Sequence, residues 1–327
     1  MHKRAFPALK TFALLPLVCL SAFSLSARQS AYQQVDDFAR SFHEPFSDPS
    51  DLARKLTRPF PAQRDQARVL YTWLATHIEY DMVRFNAPSV TRQFSGRTDR
   101  EVEAKIKAWH DKETRAAWLA KKGICGDFSR LMEQMCAAAG LECMVVQGLS
   151  RATSGGAADN HIWNAVKFDG QWHLVDATWA AGYIESDRFV ANFSGAFFDT
   201  SPELFALSHL PDQARWQLLA QPVSKAAFDK QPYVNIWNAH FPVTACAPAG
   251  GKIVPAGGKA EIRLRFDAIP KVLVLRTAGN KPVPSELTSA EDGWVSLRFA
   301  PAGASEIKVL AGETPYAMYM LAKFAVE

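Results

Sequence analysis

Cysteine is scarce in this chain, with five among 327 residues, and Cys19 lies inside an N-terminal apolar run. That is too few for a disulfide framework, and neither the cysteines nor His77, His110, His209 and His240 have the spacing of a metal site. No metal or cofactor is therefore expected. Charge of one sign is also lacking: 37 basic and 33 acidic residues leave +4. Lys3, Arg4 and Lys10 fall in the first 27 residues with no acid among them, so the rest carries about +1. There is no basic and aromatic stripe and no glycine-rich phosphate loop, which removes the usual signs of nucleic-acid binding. The longest apolar run, TFALLPLVCLSAFSL, contains Pro16 and is short for a stable transmembrane span. Internal repeats and low-complexity segments are absent too.

What is present describes a globular protein of about two domains, 48% hydrophobic and 21% charged. Residues 1–27 have the form of a secretory signal: a basic start, an apolar run, then small Ser24, Ser26 and Ala27. Val18 before Cys19 is too bulky for a lipoprotein site. Export to a periplasmic or extracellular compartment is the expectation. Residues 28–62 are polar and punctuated by Pro45, Pro49, Pro59 and Pro61, reading as a leader packed on the surface. A helix is predicted from Gln63 to His77, and a first domain over 63–232, with irregular structure from Gly182 to His209 covering part of a cleft. Near Tyr233 the pattern changes to period two, in YVNIW, AEIRLRF, KVLVLR, WVSLRF, EIKVL and YAMYMLAKF. Six such segments predict a β-sandwich over 233–327, immunoglobulin-like in type.

The chemistry concentrates around Cys125. From it, Phe128, Leu131, Met132, Met135, Cys136 and Ala139 recur at helical spacing, and Gly140 supplies a left-handed stop. A thiol at a helix N-terminus faces unpaired amide N–H groups and the positive end of the dipole, which favour thiolate. Gly123 and Gly126 permit close approach of a substrate backbone. Cys136 and Cys143 read as core residues or as a local disulfide.

Asp169-Gly170 is a two-residue hairpin signal between VKF and QWHLV. Its register puts His161 opposite Thr178 and Asp176 opposite Trp163, making His161 and Asp176 diagonal neighbours on one face. Trp163, Ala165, Leu174 and Thr178 share that face, while His173 points away as a satisfied strand histidine.

The blocks GICGDFSRL, NHIWNAV and WHLVDATW resemble the three motifs of the transglutaminase-like superfamily, a branch of the papain-like cysteine hydrolases. WLATHIEYD before them and SPELFALSHLPDQARWQLL after them are similar to the kyphoscoliosis peptidase group. The resemblance implies an α+β core with a Cys-bearing helix packed on an antiparallel sheet. It also implies Cys125 as nucleophile, His161 as base and acid, Asp176 as the group orienting His161, and a protein or peptide substrate. Trp163 is a supporting residue, and Trp118 is a candidate oxyanion-hole side chain beside the backbone N–H of Cys125. About forty residues between Asp81 and Gly123 look like an insertion: Thr98 and Glu101 form a capping box, and Val102, Ile106 and Trp109 a short stripe, on a surface helix or a substrate rim. Two functions follow from these readings. One is a thiol peptidase, amidase or acyltransferase. The other is a binding module whose cleft and β domain hold an envelope protein.

Overall fold

The computed structural model describes residues 31–88, 92–151, 158–235, 241, 243–248, 251–266, 269–289 and 292–327. The secretory-signal expectation and His240 lie outside these residues. No helix among those described is long and apolar enough to cross a membrane.

The helices preceding the thiol are α1 (Gln33–Ser41), α2 (Pro49–Thr57), α3 (Gln63–His77), α4 (Met82–Asn86) and α5 (Asp99–Ala120). α3 is buried nearly all round, with Ala67, Val69, Leu70, Tyr71, Trp73 and Leu74 in the core, as befits a helix with neighbours on every side. α1 and α2 are two of those neighbours. The segment expected as a surface leader thus places Val35, Ala39, Leu52, Ala53 and Leu56 in the core. Each helix carries one short apolar stripe, which a composition reading averages away. A polar clamp holds α1 in place: Arg68 Nε and Nη2 donate to the two Asp36 oxygens at 2.8 and 2.7 Å, and Thr72 Oγ1 donates to Oδ1 at 2.6 Å. A bidentate buried pair of this kind fixes orientation as well as energy.

The insertion leaves and re-enters at a single point. β1 (Glu79–Tyr80) pairs in parallel with β2 (Lys122–Gly123), Tyr80 opposite Gly123. α5 runs well beyond Trp109, the end of the predicted stripe, to Ala120, and Lys121 ends it in the left-handed region at φ 52°. At its start the Glu101 carboxylate accepts from Arg97 N–H rather than Thr98 N–H, so only the Thr98 half of the predicted capping box forms.

α6 (Cys125–Ala138) packs on a five-stranded sheet of order β8-β5-β4-β3-β9, comprising β3 (Glu142–Arg151), β4 (Ala158–Phe168), β5 (Gln171–Val175), β8 (Phe198–Thr200) and β9 (His209–Pro211). Within Gly182–His209 there is more regular structure than expected, since β6 (Gly182–Glu185) and β7 (Arg188–Ala191) form a hairpin and β8 and β9 join the sheet. The β4–β5 turn has the predicted register, Asn164 opposite Val175 and Phe168 opposite Gln171, with Asp169 and Gly170 at φ 51° and 77°. The ladder stops at Val175, however. Asp176 caps α7 (Ala177–Ala181), accepting Thr178 and Trp179 N–H on Oδ1 at 2.9 and 3.0 Å. Thr178 is therefore helical and does not face His161. His161 pairs instead with Gly148 of β3, where a Cβ would lie 2.2 Å from Leu210 O and 2.8 Å from the Trp163 ring.

From Tyr233 on, every helix or strand among the described residues is a strand. One sheet runs in the order β10 (Tyr233–Val234), β19 (Ala317–Val326), β18 (Glu306–Thr314), β14 (Val272–Thr277), β15 (Pro282–Val283), with β12 (Lys252–Ile253) also on β19, and the other in the order β11 (Val243–Ala247), β13 (Ala260–Phe266), β17 (Trp294–Phe299), β16 (Ser285–Ser289). Ala260, Ile262, Leu264 and Phe266 of β13 alternate inward with exposed or half-exposed partners. All six predicted segments contribute strands, and four short strands, β11, β12, β15 and β16, add to them. Mixed helices and sheet followed by a β-rich region give the α+β class expected.

Candidate active site

Cys125 is the first residue of α6. Ile124 before it is extended, at φ −104° and ψ 176°, and its N–H donates to Asp127 Oδ2 at 2.9 Å. Ile124 has no side-chain acceptor, so its carbonyl takes the Asp127 N–H at 2.8 Å. Asp127 Oδ2 also accepts from Arg84 Nη1 at 2.7 Å, and Arg84 Nη2 reaches Glu113 of α5 at 3.2 Å. The helix start that carries the thiol is thereby tied to the insertion. The N–H of Cys125 is one of the first-turn donors that the helix itself leaves unpaired.

His161 is buried on β4. Its Nε2 lies 2.7 Å from Asp176 Oδ2, which leaves Nδ1 as the ring nitrogen not engaged by the carboxylate, and Cys125 is close enough to help hold the imidazole protonated. Burial works to lower the basicity of His161. The adjoining Asp176 carboxylate, with Cys125, overcomes this and pushes it up to about 10. Burial works the other way on Asp176, where His161 and then His209 hold the carboxyl well below the usual range. The structure thus brings Cys125, His161 and Asp176 together.

His209 was not singled out as a site residue by sequence, yet it completes the surroundings of the carboxylate. Its Nε2 lies 3.2 Å from Asp176 Oδ2, and its Nδ1 lies 2.8 Å from Ser208 Oγ. Burial pushes His209 down to about 4, against the bond to Asp176. A neutral ring with Nε2–H toward the carboxylate and Nδ1 accepting from Ser208 satisfies both contacts. Its ring is packed by Phe205 at 4.0 Å and Trp179 at 4.6 Å between centroids. Asp176 therefore has four partners, two imidazoles on Oδ2 and two amides on Oδ1. His161, Asp176 and His209 offer ligand atoms within 4.8 Å of one another, a donor set that a metal ion could use. In this arrangement those atoms are spent on each other.

The supporting residues divide. Trp163 lies beside His161, the rings 5.9 Å apart and 26° from parallel, and its buried Nε1 has no partner. Trp118 is excluded as an oxyanion donor in this geometry, because its Nε1 donates to Ser47 O at 3.1 Å and Lys121 covers its ring. Tyr80 is nearer the chemistry: burial, then the charge of Cys125, raises its phenol above the ordinary value. A phenol kept protonated there remains a hydrogen-bond donor. His173 faces away as expected, its Nδ1 2.6 Å from Asp199 Oδ1 and its buried Nε2 without a partner. Cys136 and Cys143 are free thiols in mutual contact, with no bridge between them.

Residues 50–177, which hold the thiol at the helix start, the imidazole on the strand and the carboxylate after the next strand, match the transglutaminase-like superfamily model. Two curated relatives are similar over more of the chain. Kyphoscoliosis peptidase of Homo sapiens is 28% identical over 287 residues, 85% of this chain and 39% of that protein. The Mus musculus protein of the same name is 28% identical over 257 residues, 76% of this chain and 34% of that one. The chain thus spans under two fifths of the length of these relatives. A crystal structure of a TGase overlaps 56% of this chain and 41% of its own, at 17% identity and a TM-score of 0.30. Asp176 falls within the matched residues 50–177, and His209 falls outside them.

Proposed function

We propose that this protein is an exported thiol-dependent acyl-transfer enzyme, a peptidase, amidase or transglutaminase, acting on amide bonds of proteins or peptides. The observation that carries the reading is the buried His161, bonded through Nε2 to Asp176 and raised in basicity by that carboxylate and by the neighbouring Cys125. A histidine so held favours the thiolate and imidazolium pair.

The Cys125 thiolate attacks the amide carbonyl carbon, forming the C–S bond and moving the carbonyl electron pair onto oxygen. The Cys125 N–H at the helix start stabilises that oxyanion. Collapse re-forms the carbonyl and breaks the C–N bond, and the His161 imidazolium gives its proton to the leaving amine. Water or a second amine then attacks the thioester, losing a proton to His161, and the thiolate departs. Water gives hydrolysis and an amine gives transamidation. Asp176 keeps the imidazole in the tautomer this requires.

Alkylation by iodoacetamide tests the reading without a known substrate. Cys125 in the wild type should label fast at pH 6 and markedly slower in His161→Ala. Equal rates would remove the catalytic reading and leave the alternative, a non-catalytic module that uses its cleft and an immunoglobulin-like β domain to hold an envelope protein.

A further inference from the structure

A cavity of about 740 Å³ lies between α2, α5 and α6, reached on α6 by Arg130 and residues beyond it, within the usual size of a ligand pocket. Ile106, Trp118 and Leu131 supply apolar wall, and charged groups line the rim. One of those charges, Arg130, has the acids Asp127, Glu133 and Asp111 around it but forms an ion pair with none of them. Arg130 lies on α6 and lines the cavity; its Nη1 donates to Gly126 O at 2.9 Å, and its Nη2 meets His110 Nε2 at 3.0 Å. No carboxylate among the described residues pairs with it. Asp127 is committed to Arg84 at 2.7 Å, Asp111 to Lys107 at 2.7 Å, and Asp48 to the cap of α2. Glu133 and Glu103 line the same cavity without bonding Arg130, and burial raises the Glu133 carboxyl. A guanidinium half withdrawn from water is normally neutralised by a bidentate carboxylate.

The location is informative as well. A Cβ on Gly126 would sit 2.7 Å from Arg130 Nη1 and 3.7 Å from Ile162 Cδ1. The guanidinium therefore lies over the backbone immediately after Cys125, beside the strand residue next to His161. His110 accepts from Arg130 on Nε2, so its neutral ring has Nδ1–H as a further donor.

We propose that Arg130 and His110 form a carboxylate-binding subsite, and that the preferred peptide substrate carries a carboxylate near the amide attacked, from an acidic side chain or a free C-terminus. This rests on the acyl-transfer reading of Cys125 and names its substrate class. The cavity beyond the guanidinium takes the apolar part of the same peptide.

Three peptides of one sequence, each with an N-terminal chloroacetamide, test this through labelling of Cys125 followed by intact mass. One carries Glu, one carries Gln with an amidated C-terminus, and one carries Gln with a free C-terminus. Rates are divided by that of iodoacetamide on the same protein. At least one of the two acidic peptides should outrun the neutral one by about tenfold, as a charge-assisted pair would give, and which one does so identifies the source of the carboxylate. The preference should shrink toward twofold in Arg130→Gln and, with no mutation at all, in 1 M salt. Equal labelling by all three peptides in the wild type, or a preference that survives both Arg130→Gln and salt, would overturn the subsite. If iodoacetamide itself labels slowly and indifferently to His161→Ala, the thiol reading has failed instead.

Discussion

The two halves of this molecule bury different kinds of residue. Every buried polar or charged side chain among the described residues lies before Leu218, including Asp36, Arg68, Asp127, His161, Asn164, Asp176 and His209. After Tyr233 the buried side chains are apolar, in the alternating rows of β13, β17 (Trp294–Phe299) and β18 (Glu306–Thr314). A sheet face of Val, Leu, Ile and Phe needs no particular partner for each residue, only correct alternation. A buried imidazole or carboxylate needs a named donor or acceptor at about 3 Å. The first half therefore depends on individual side chains, and the second on a pattern.

Asp176→Asn should give the largest effect. Asn Oδ1 can still accept the Thr178 and Trp179 N–H groups, but an amide nitrogen would then face two imidazole N–H groups where Oδ2 now accepts. Alkylation of Cys125 at pH 6 should fall by about 10²- to 10⁴-fold, with a lowered melting temperature. A silent Asp176→Asn would show that the polar half is less particular than the contrast implies.

Leu264→Ala should do the reverse. A fully buried leucine in the second half should cost about 2–5 kcal/mol of stability, while the alkylation rate of Cys125 stays at the wild-type value. Denaturant melts followed beside that rate check it, and a coupled loss of reactivity would tie the halves together.

His209 sharpens the comparison through pH. Its folded value, about 4, lies below the ordinary 6.5, so its neutral form contributes stability that is fully present above 6.5 and lost as pH falls from 6.5 through 4. His209→Gln removes that titration while keeping an N–H donor for Asp176. Its melting temperature should fall less between pH 6.5 and 4 than the wild type's, with Cys125 reactivity largely kept. His209→Phe should flatten the same limb but slow alkylation several-fold, because Asp176 loses a donor. Identical behaviour of the two variants would reduce His209 to a packing residue. His161 has the opposite sign: raised to about 10, it contributes stability that is whole below 6.5 and lost as pH rises through 10.

Asp169→Asn should have the smallest effect. Asp169 holds φ 51° at the turn, a conformation Asn shares, and its contact with Arg64, at 3.4 Å, is between exposed groups. The change should be within about 0.5 kcal/mol, since exposed ion pairs contribute little. A strongly destabilising result would mean that the hairpin depends on more than its turn chemistry.

Much of the site was legible because its signals are local. The Asp169-Gly170 turn specifies which residues of β4 and β5 oppose one another, and the helical stripe from Phe128 to Cys136 specifies which face of α6 is buried. The stop of the ladder at Val175 was not legible, because extended backbone and a helix cap are both open to Asp176 until α7 packs against α3. His209 could not be assigned either. It stands 33 residues beyond Asp176, on a three-residue strand that pairs with β3, and the only local hint is a histidine among apolar residues in FALSHLP. Trp118 failed as an oxyanion donor for a related reason: Ser47, from the segment read as a surface leader, occupies its N–H.

By itself the sequence determined what depends on neighbours a few residues away: the helix that begins at Cys125, the hairpin that carries His161 toward Asp176, and the period-two strands after Tyr233. Those follow from backbone geometry and side-chain periodicity, which act within a few turns or strand residues. Only the tertiary structure decided which polar groups would share Asp176, that α1 and α2 would close over α3, and that Arg130 would line a cavity without an ion-pair partner among the described residues. These depend on contacts between segments far apart in the chain, where burial raises the cost of an unpaired charge and so selects a particular partner.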